Sequence, residues 1–246
     1  MKDPKCAVII PARYASTRFP GKPLAMLAGK PMIRHVYEKA AASRAAVVAV
    51  ATDDERIARA VESFGGTAVM TSPAHPSGTD RIAEALGKLG RGCDLVINVQ
   101  GDEPLIPTSV IDELIGVMRA DPALPMATVA VPGDRERMTE NNVKVVFGTD
   151  GKALYFSRSM IPFLRKGGAE CGVWLHWGIY AYRRDVLEKF VSLPPGKLEN
   201  AEKLEQLRAL ENGIAIQVVT SELQSIGVDT PDDLAAAERR LREQQS

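Results

Sequence analysis

A loop of small residues and cations, placed directly after an apolar run, is the first part of this sequence that could do chemistry. The run at residues 7–10 is typical of a buried strand, and Arg13, Arg18 and Lys22 follow it. Ligands bind at the carboxyl ends of strands in open α/β sheets, where backbone N–H groups and cations can hold a polyphosphate. We interpret the loop as a cradle for a nucleoside triphosphate. It is not a Walker A loop, because neither Ser nor Thr follows Lys22; a basic surface loop is the alternative.

Two carboxylates, Asp102 and Asp229, are the candidates for holding a metal ion. Asp102 follows a glycine at the end of a predicted strand, residues 95–99, and Mg²⁺ prefers carboxylate and phosphate oxygens. A Gly-Asp turn that caps the next helix is the alternative for Asp102. Asp229 precedes a helix start made by Thr230 and a proline, so helix chemistry does not account for it. That the two carboxylates meet is a hypothesis.

The segment at residues 77–81, Ser-Gly-Thr-Asp-Arg, opens a predicted helix. Small residues and the N–H groups of a helix N-terminus suit an anion or the edge of a base. An ordinary N-cap in which Thr79 bonds forward is the alternative interpretation, and the two are compatible.

Polar and aromatic residues are concentrated again in the second half of the chain. His176 could bind a hydroxyl or a carboxylate, although a single histidine is more often structural. Glu205 and Arg208 lie three residues apart on a predicted helix, where a simple ion pair between them is the alternative to a role in binding.

Alternating apolar runs and amphipathic segments predict the elements that must position these residues. We predict strands at residues 7–10, 47–51, 68–70, 95–99, 126–131, 144–147, 153–157, 174–182 and 214–219, and helices at residues 32–42, 53–64, 79–89, 107–118, 186–191, 201–211 and 231–244. The alternation predicts an α/β class with a mainly parallel sheet flanked by helices. We expect one domain, residues 1–246, with an arm at about residues 150–200 inserted in the α/β core.

Composition excludes several classes of protein. Lys and Arg number 31, as do Asp and Glu, so the formal net charge is zero, whereas a chain built to coat nucleic acid is usually basic. The three cysteines are far apart, which argues against a structural zinc site and fits a reducing compartment with thiols packed as small apolar groups. The N-terminal apolar run is too short for a signal peptide or a membrane span. We expect a cytoplasmic protein that binds neither nucleic acid nor membrane.

Taken together, these motifs resemble those of the 3-deoxy-manno-octulosonate cytidylyltransferase family. The resemblance covers nearly the whole chain and rests, in chain order, on residues 10–18 with 20–24, 77–81, 98–104, 143–146, 155–158, 178–183, 204–208 and 228–234. The chain departs from the family pattern at Phe19, where Leu is frequent, and at residues 140–143. Neither departure falls on a charged motif atom.

The resemblance implies a Rossmann-like α/β core with a dimerisation arm, and a nucleotidyltransferase that joins CMP from CTP to the anomeric 2-hydroxyl of Kdo (3-deoxy-manno-octulosonate). The products would be CMP-Kdo, for lipopolysaccharide synthesis, and pyrophosphate. The resemblance implies that Asp102 and Asp229 bind Mg²⁺. The catalytic residues would be these two aspartates together with Arg13 and Lys22. The resemblance also implies CTP contacts from Ala12, Arg13, Lys22, Ser77, Gly78, Thr79 and Arg81, and sugar-acid contacts from Gln100, Arg158, His176, Tyr180 and Glu205. Arg158 would pair with the substrate carboxylate, because a guanidinium matches a carboxylate in a fork. The expected partners are CTP, Kdo and a second copy of the chain in a homodimer.

Other functions are compatible with the same scaffold. CMP transfer to a different 2-keto sugar acid, such as sialic acid or amino-Kdo, would share the chemistry. A non-catalytic nucleotide-binding regulator would more typically lack Asp102 or Lys22, and both are present. A nucleotide-sugar glycosyltransferase would usually carry an Asp-x-Asp motif, whereas this strand end reads Gly101-Asp102-Glu103.

Overall fold

The structure of the chain is a computed structural model that describes residues 4–15, 19–90, 92–169, 171–223 and 225–245, with side chains to residue 243. The predicted phosphate contact Arg18 lies outside the described residues. By contacts the chain divides into two compact units, Met1–Ile115 with Gln224–Ser246, and Gly116–Leu223. We call them the first and the second unit. The expectation of a single domain with an inserted arm stays a prediction.

Helices and strands alternate regularly between residues 32 and 120. The strands of the chain are β1 (Cys6–Ala12), β2 (Met26–Leu27), β3 (Lys30–Pro31), β4 (Val47–Thr52), β5 (Ala68–Met70), β6 (Leu95–Asn98), β7 (Met126–Gly133), β8 (Lys144–Phe147), β9 (Ala153–Ser157), β10 (Val173–Arg183) and β11 (Ile216–Thr220). The α-helices are α1 (Met32–Ala41), α2 (Glu55–Ser63), α3 (Gly78–Lys88), α4 (Thr108–Ala120), α5 (Arg184–Ser192), α6 (Lys197–Glu202), α7 (Gln206–Glu211) and α8 (Pro231–Gln245). Short 3₁₀ helices occur at Lys22–Leu24 and Arg135–Arg137.

Four parallel strands in the order β6-β1-β4-β5 make the sheet of the first unit. The side chains of β1 and β6 are almost all buried, as expected for strands covered on both faces. The pairing of Ala12 with Thr52 brings the carboxyl ends of β1 and β4 to one edge. This edge is where an open parallel sheet binds its ligands, and the predicted α/β class is confirmed.

The second unit contains a mixed sheet. β11 runs parallel to β7, whereas β10 is antiparallel to both β7 and β8, and β8 forms a hairpin with β9. Asp150 and Gly151 make the turn of that hairpin, and Gly151 has a φ of 75°. β10 carries a bulge between Trp177 and Tyr180, which shifts its register against β7.

Several sequence predictions need correction. The predicted helix 201–211 is two helices, α6 and α7, separated at Lys203, whose φ of 53° is left-handed and ends α6. The β2–β3 hairpin was not predicted, because two-residue strands carry no periodic pattern. Cys6 and Cys93 are buried as expected, but Cys171 is exposed. Among the described residues, no helix is both long enough and apolar enough to cross a membrane.

Candidate functional site

A pocket of about 270 Å³ opens in the first unit at the carboxyl ends of β1 and β6. Nine residues predicted from the sequence line it: Ala12, Arg13, Lys22, Ser77, Gly78, Arg81, Gln100, Asp102 and Asp229. These residues come from four separate segments of the chain. The remaining prediction in this unit, Thr79, is buried in the first turn of α3 and is not among the lining residues.

The ammonium of Lys22 lies between the two predicted metal ligands. Its Nζ is 2.8 Å from Oδ2 of Asp102 and 3.1 Å from Oδ1 of Asp229. Because both oxygens lie within hydrogen-bond distance of one nitrogen, the two carboxylates face each other across it. The Lys22 side chain is 13% exposed, whereas the two aspartates are 35% and 47% exposed, so the ion pairs lie at the pocket surface.

A tight turn sets the position of Lys22. Gly21 has a φ of 71°, and a Cβ there would come within 3.1 Å of the Tyr14 ring. The Gly21 amide donates to the Tyr14 carbonyl at 2.9 Å, which closes the loop between β1 and Lys22. Glycine is needed at this position because it tolerates both the left-handed backbone and the close ring. The turn aims the lysine back over the end of β1.

A second close approach sets the position of Asp102. A Cβ on Gly101 would lie 2.8 Å from the backbone oxygen of Pro11, so only glycine lets this loop pass the end of β1. Asp102 does not cap the next helix, which was the alternative interpretation, since that helix begins at Thr108.

The backbone also brings Asp229 to Asp102, across a long stretch of sequence. The Val228 amide donates to the Asp102 carbonyl at 2.8 Å. The Val228 side chain is fully buried in a cluster with Leu27, Met32 and Leu105, and α8 contributes to the same cluster. Apolar burial therefore anchors the segment that carries Asp229. Both carboxylates bind the Lys22 ammonium, and their role as metal ligands stays a prediction.

The turn before α3 has a different cap from the one in the alternative interpretation. Ser77, not Thr79, is the N-cap: its Oγ accepts from the Asp80 amide at 3.1 Å. Arg81 is buried, and its guanidinium donates to Thr71 Oγ1 at 2.7 Å and to Asp53 Oδ2 at 3.1 Å. Although Arg81 lines the pocket, these bonds give it a structural role in holding the loop before α3.

His75, which no sequence motif had indicated, also lines the pocket. Its Nε2 contacts the Glu84 carboxylate. Hydrogen bonds from Lys88, the Ser72 amide and His75 lower the pKa of Glu84 to about 2, so this carboxylate is ionised and only accepts. The Nε2 of His75 therefore donates to it. The signal in the sequence was a histidine two residues before the Ser77 cap, which pattern alone does not separate from an ordinary loop residue.

The donor set at Lys22 fits a divalent cation bound together with a phosphate. No cluster of three or more His, Cys, Asp or Glu side chains that could hold a metal occurs within the described ranges. Two facing carboxylates are, however, what Mg²⁺ takes from a protein when phosphate oxygens and water complete its shell. The ammonium of Lys22 already occupies a position where positive charge is favourable.

The residues predicted for the sugar acid lie mostly in the second unit, where Arg158 borders an open cleft of about 660 Å³. The Arg158 guanidinium donates only to backbone carbonyls: Nε to Glu202 at 2.8 Å, Nη1 to Glu140 at 3.1 Å and Nη2 to Lys203 at 3.5 Å. Two of its five N–H donors have no acceptor in the part of the chain that the structure describes. They suit a carboxylate.

His176, Tyr180 and Glu205 come together in the second unit. The His176 and Tyr180 ring centroids are 5.3 Å apart. Burial lowers the pKa of His176 to about 3, so the imidazole is neutral near pH 7. Burial, and then the Glu205 charge, raises the pKa of Tyr180 well above its usual value, so the phenol keeps its proton.

The hydrogen bonds of Thr128 indicate the tautomer of His176. Thr128 Oγ1 donates to the Ile179 carbonyl at 2.8 Å, and it lies 3.0 Å from His176 Nε2. A hydroxyl has one proton, so Nε2 is the donor of this second bond. Nδ1 of His176 is then left with a lone pair that can accept from a hydroxyl.

The alternative interpretation of Glu205, a simple ion pair with Arg208, holds only in part. Arg208 Nη2 is 3.9 Å from Glu205 but 2.5 Å from Glu199, so its principal partner is Glu199, which ties α7 to α6. Sequence reasoning missed Gln206, which is buried beside Glu205. Its Nε2 has no hydrogen-bond partner among the described residues.

The class of protein follows from a match to a known family. Residues 7–217 match the family model described as "Cytidylyltransferase". A solved structure described as CMP:2-keto-3-deoxy-manno-octonic acid synthetase complexed with CTP is 46% identical, with a TM-score of 0.93, and the match covers 98% of this chain and 99% of that one. A cytidylyltransferase from Leptospira borgpetersenii, 15% identical with a TM-score of 0.64, shares the fold.

Curated relatives narrow the class. The 3-deoxy-manno-octulosonate cytidylyltransferase of Desulfatibacillum aliphaticivorans is 54% identical, and the match covers 98% of this chain and 100% of the relative. That of Geobacter sulfurreducens is 50% identical over 95% of this chain and 98% of the relative. The chain belongs to the 3-deoxy-manno-octulosonate cytidylyltransferase family of nucleotidyltransferases.

Proposed function

We propose that this chain transfers CMP from CTP to the anomeric C2 hydroxyl of Kdo. The observation that carries the proposal is the convergence of Asp102, Asp229 and Lys22 at one pocket. The names of the relatives and the CTP complex of the similar structure support the choice of substrates. The product would feed lipopolysaccharide synthesis.

The pocket of the first unit is proposed to hold CTP. Arg13 is exposed at its edge and makes no ion pair with any described residue, so its guanidinium is available to phosphate oxygens. Lys22 neutralises charge on the leaving pyrophosphate. The turn at Ser77 and Gly78 lies near the cytidine, with helix N–H groups for polar atoms. Ala12 and Arg81 line the wall, and Thr79 supports the turn from inside.

Asp102 and Asp229 are the residues that would hold Mg²⁺. A divalent cation bound by these carboxylates and the triphosphate supplies Lewis-acid neutralisation of phosphate charge. The two side chains already face a shared position, so the Lys22 ammonium is the group that must move from it when the metal ion and the nucleotide bind.

The sugar acid is proposed to bind Arg158, His176, Tyr180 and Glu205. Arg158 offers its two remaining N–H donors to the carboxylate of Kdo. His176 accepts a hydroxyl proton at Nδ1, Tyr180 donates from its neutral phenol, and Glu205 accepts from a further hydroxyl. The buried Nε2 of Gln206 is a further donor. A contact between Gln100 and the sugar acid stays a prediction.

The reaction itself exchanges one bond to phosphorus for another. The C2 oxygen of Kdo forms a bond to the α-phosphorus, the bond from that phosphorus to the bridging oxygen breaks, and pyrophosphate leaves with the electron pair. The hydroxyl proton is released to solvent. The protein aligns the two substrates and neutralises charge, which is the main requirement of such transfers.

A substrate panel tests the proposal. Pyrophosphate release is measured with CTP, UTP, GTP or ATP against Kdo, amino-Kdo or sialic acid, in the presence of Mg²⁺. We expect the highest kcat/KM for CTP with Kdo. Preference for sialic acid or amino-Kdo would favour the alternative acceptor. If the protein binds CTP but turns over no combination of nucleotide and sugar acid, the alternative of a non-catalytic nucleotide-binding regulator would be favoured. The homodimer and the cytoplasmic location remain predictions.

Substitution of Asp102 tests the site. Asp102→Asn keeps the size of the side chain but removes its charge, and we expect kcat to fall by about 10²–10³. Asp232→Asn is the control, because Asp232 is exposed in the first turn of α8, close in sequence to Asp229 but not lining the pocket. Near-normal kinetics for Asp102→Asn would remove Asp102 from the metal site.

A further inference from the structure

Lys144 has an unusual environment for a lysine. It is the first residue of β8 and is fully buried, although lysine is almost never fully buried unless it is paired. Its Nζ donates to the carbonyls of Thr139 at 2.9 Å, Asn142 at 2.5 Å and Arg158. An ammonium has three N–H donors, so each is used. Burial lowers the pKa of Lys144, with Glu202 raising it and Arg158 lowering it by their charges.

The three acceptors belong to the Arg158 backbone and to the turn that contacts the Arg158 guanidinium. One acceptor is the carbonyl of Arg158 itself. The other two belong to the turn at residues 139–142, and Glu140 in this turn accepts from Arg158 Nη1 at 3.1 Å. Lys144 therefore fixes the backbone from which the Arg158 side chain extends and also the turn against which its guanidinium rests.

The hydrogen bonds that hold the opposite wall of the same cleft do not involve Lys144. The Glu202 carboxylate accepts from Ser157 Oγ at 2.6 Å and from the Arg158 amide at 2.9 Å, and the Glu202 carbonyl accepts from Arg158 Nε at 2.8 Å. The cleft of about 660 Å³ lies between this wall and the 139–142 turn. Removing Lys144 would release the turn and leave the Glu202 wall in place, so Arg158 would lose its alignment rather than its attachment.

We propose that Lys144 is a positioning residue for substrate recognition: its buried ammonium, bonded to the carbonyls of Thr139, Asn142 and Arg158, holds the Arg158 guanidinium in the orientation that receives the carboxylate of the acceptor. This inference rests on the proposed function of Arg158. Lys144 does not touch the substrate itself, and it acts on the affinity for the acceptor, since Arg158 binds the acceptor and takes no part in bond breaking.

The test is a kinetic comparison of variants with both substrates varied. Lys144→Met keeps the length of the side chain and removes the donors. We expect the KM for Kdo to rise by about 10-fold or more, while kcat and the KM for CTP stay within about 2-fold. Lys152→Met is the matched control: it removes an exposed lysine from the same hairpin, and no substrate constant should change. Equal losses with both substrates would mean that Lys144 is only structural.

A double-mutant cycle separates positioning from general damage. If Lys144 acts through Arg158, the KM for Kdo of Lys144→Met combined with Arg158→Ala should equal that of Arg158→Ala alone, whereas independent effects would multiply. Multiplied effects would overturn the inference.

Lys144→Arg serves if Lys144→Met fails to fold. It keeps the charge but replaces three diverging donors by a planar fork, so we expect a rise in the same constant. A folded Lys144→Arg with unchanged KM for Kdo, while Arg158→Ala raises it, would refute the role of Lys144 and leave the proposed function intact. An unchanged KM in Arg158→Ala would instead refute the proposed role of Arg158, and the inference with it.

Discussion

Replacing Lys22 by methionine should make the two aspartates a better site for a divalent cation when no nucleotide is present. In the structure the Lys22 ammonium lies about as close to Asp102 and Asp229 as a hydrogen bond allows, at 2.8 and 3.1 Å. A cation that enters this position must displace the ammonium. Methionine has nearly the same length and shape but no charge, so the variant removes the Lys22 ammonium from both carboxylates.

The size of the effect follows from the exposure of the two ion pairs. Exposed pairs contribute up to about 1 kcal/mol each, and the aspartates are 35% and 47% exposed, so we assign the two pairs about 1–2 kcal/mol together. With about 1.4 kcal/mol for each factor of ten, Lys22→Met should bind a divalent cation about 5- to 30-fold more tightly. The same substitution should weaken CTP binding, because the triphosphate loses a cation.

Binding of Mn²⁺, followed by electron paramagnetic resonance without nucleotide, measures the first effect, and calorimetric titration with CTP measures the second. Lys30→Met is the matched control. Lys30 pairs with Glu38 at a distance of 2.8 Å, and neither residue lines the pocket, so this variant should change neither the affinity for Mn²⁺ nor the affinity for CTP. Unchanged or weaker Mn²⁺ binding by Lys22→Met would refute the reasoning that the ammonium competes with the metal for the two carboxylates.

Three further predictions concern stability. Gly101→Ala places a Cβ 2.8 Å from the Pro11 carbonyl oxygen, so it should lower the free energy of unfolding in urea by about 1–3 kcal/mol and also lower kcat. Gly87→Ala is the control: its Cβ meets no atom within 4 Å, so the protein should not be destabilised. Equal stabilities would mean that the loop yields freely. Burial holds the pKa of His176 at about 3, against 6.5 in the unfolded chain, so between these pH values the unfolded chain binds one more proton than the folded chain. The free energy of unfolding should therefore fall as pH drops from 6.5 to 3, by at most about 1.4 kcal/mol per pH unit. His176→Gln should lack this part of the pH dependence in chemical denaturation. The pKa of Glu84 is lowered to about 2 from 4.5, so its contribution to stability is complete above pH 4.5 and is lost as pH falls through 2. Glu84→Gln should therefore flatten the dependence of the free energy of unfolding on pH in this range. An unchanged pH dependence would contradict the lowered pKa of Glu84.

Local patterns were sufficient to predict most of the first unit. Apolar runs indicated the strands and their order along the chain, and the requirement for ligands to bind at strand ends pointed to Lys22 and Asp102. The approach of Asp229 to Asp102 could not be predicted in this way. It depends on the hydrogen bond from the Val228 N–H to the Asp102 carbonyl and on the burial of Val228 with Leu27, which are contacts between segments far apart in the sequence.

Features of the second unit were harder to predict for other reasons. The break between α6 and α7 depends on a left-handed Lys203, and lysine is not a residue that normally signals a helix end. The burial of Lys144 contradicts the usual exposure of lysine, and only the three surrounding carbonyls explain it. In both cases tertiary contacts outweigh the preference of the single residue.

The facing carboxylates at Lys22 are proposed to support transfer of the α-phosphoryl group of CTP. The most direct measurement follows CTP labelled at the α-phosphorus, with Kdo and Mg²⁺, for the unaltered chain and for Asp102→Asn side by side. We expect label in a sugar-linked product for the unaltered chain and a rate about 10²–10³ lower for the variant. Label that remains in CTP or appears in pyrophosphate, or equal rates for the two proteins, would refute this role of the carboxylates.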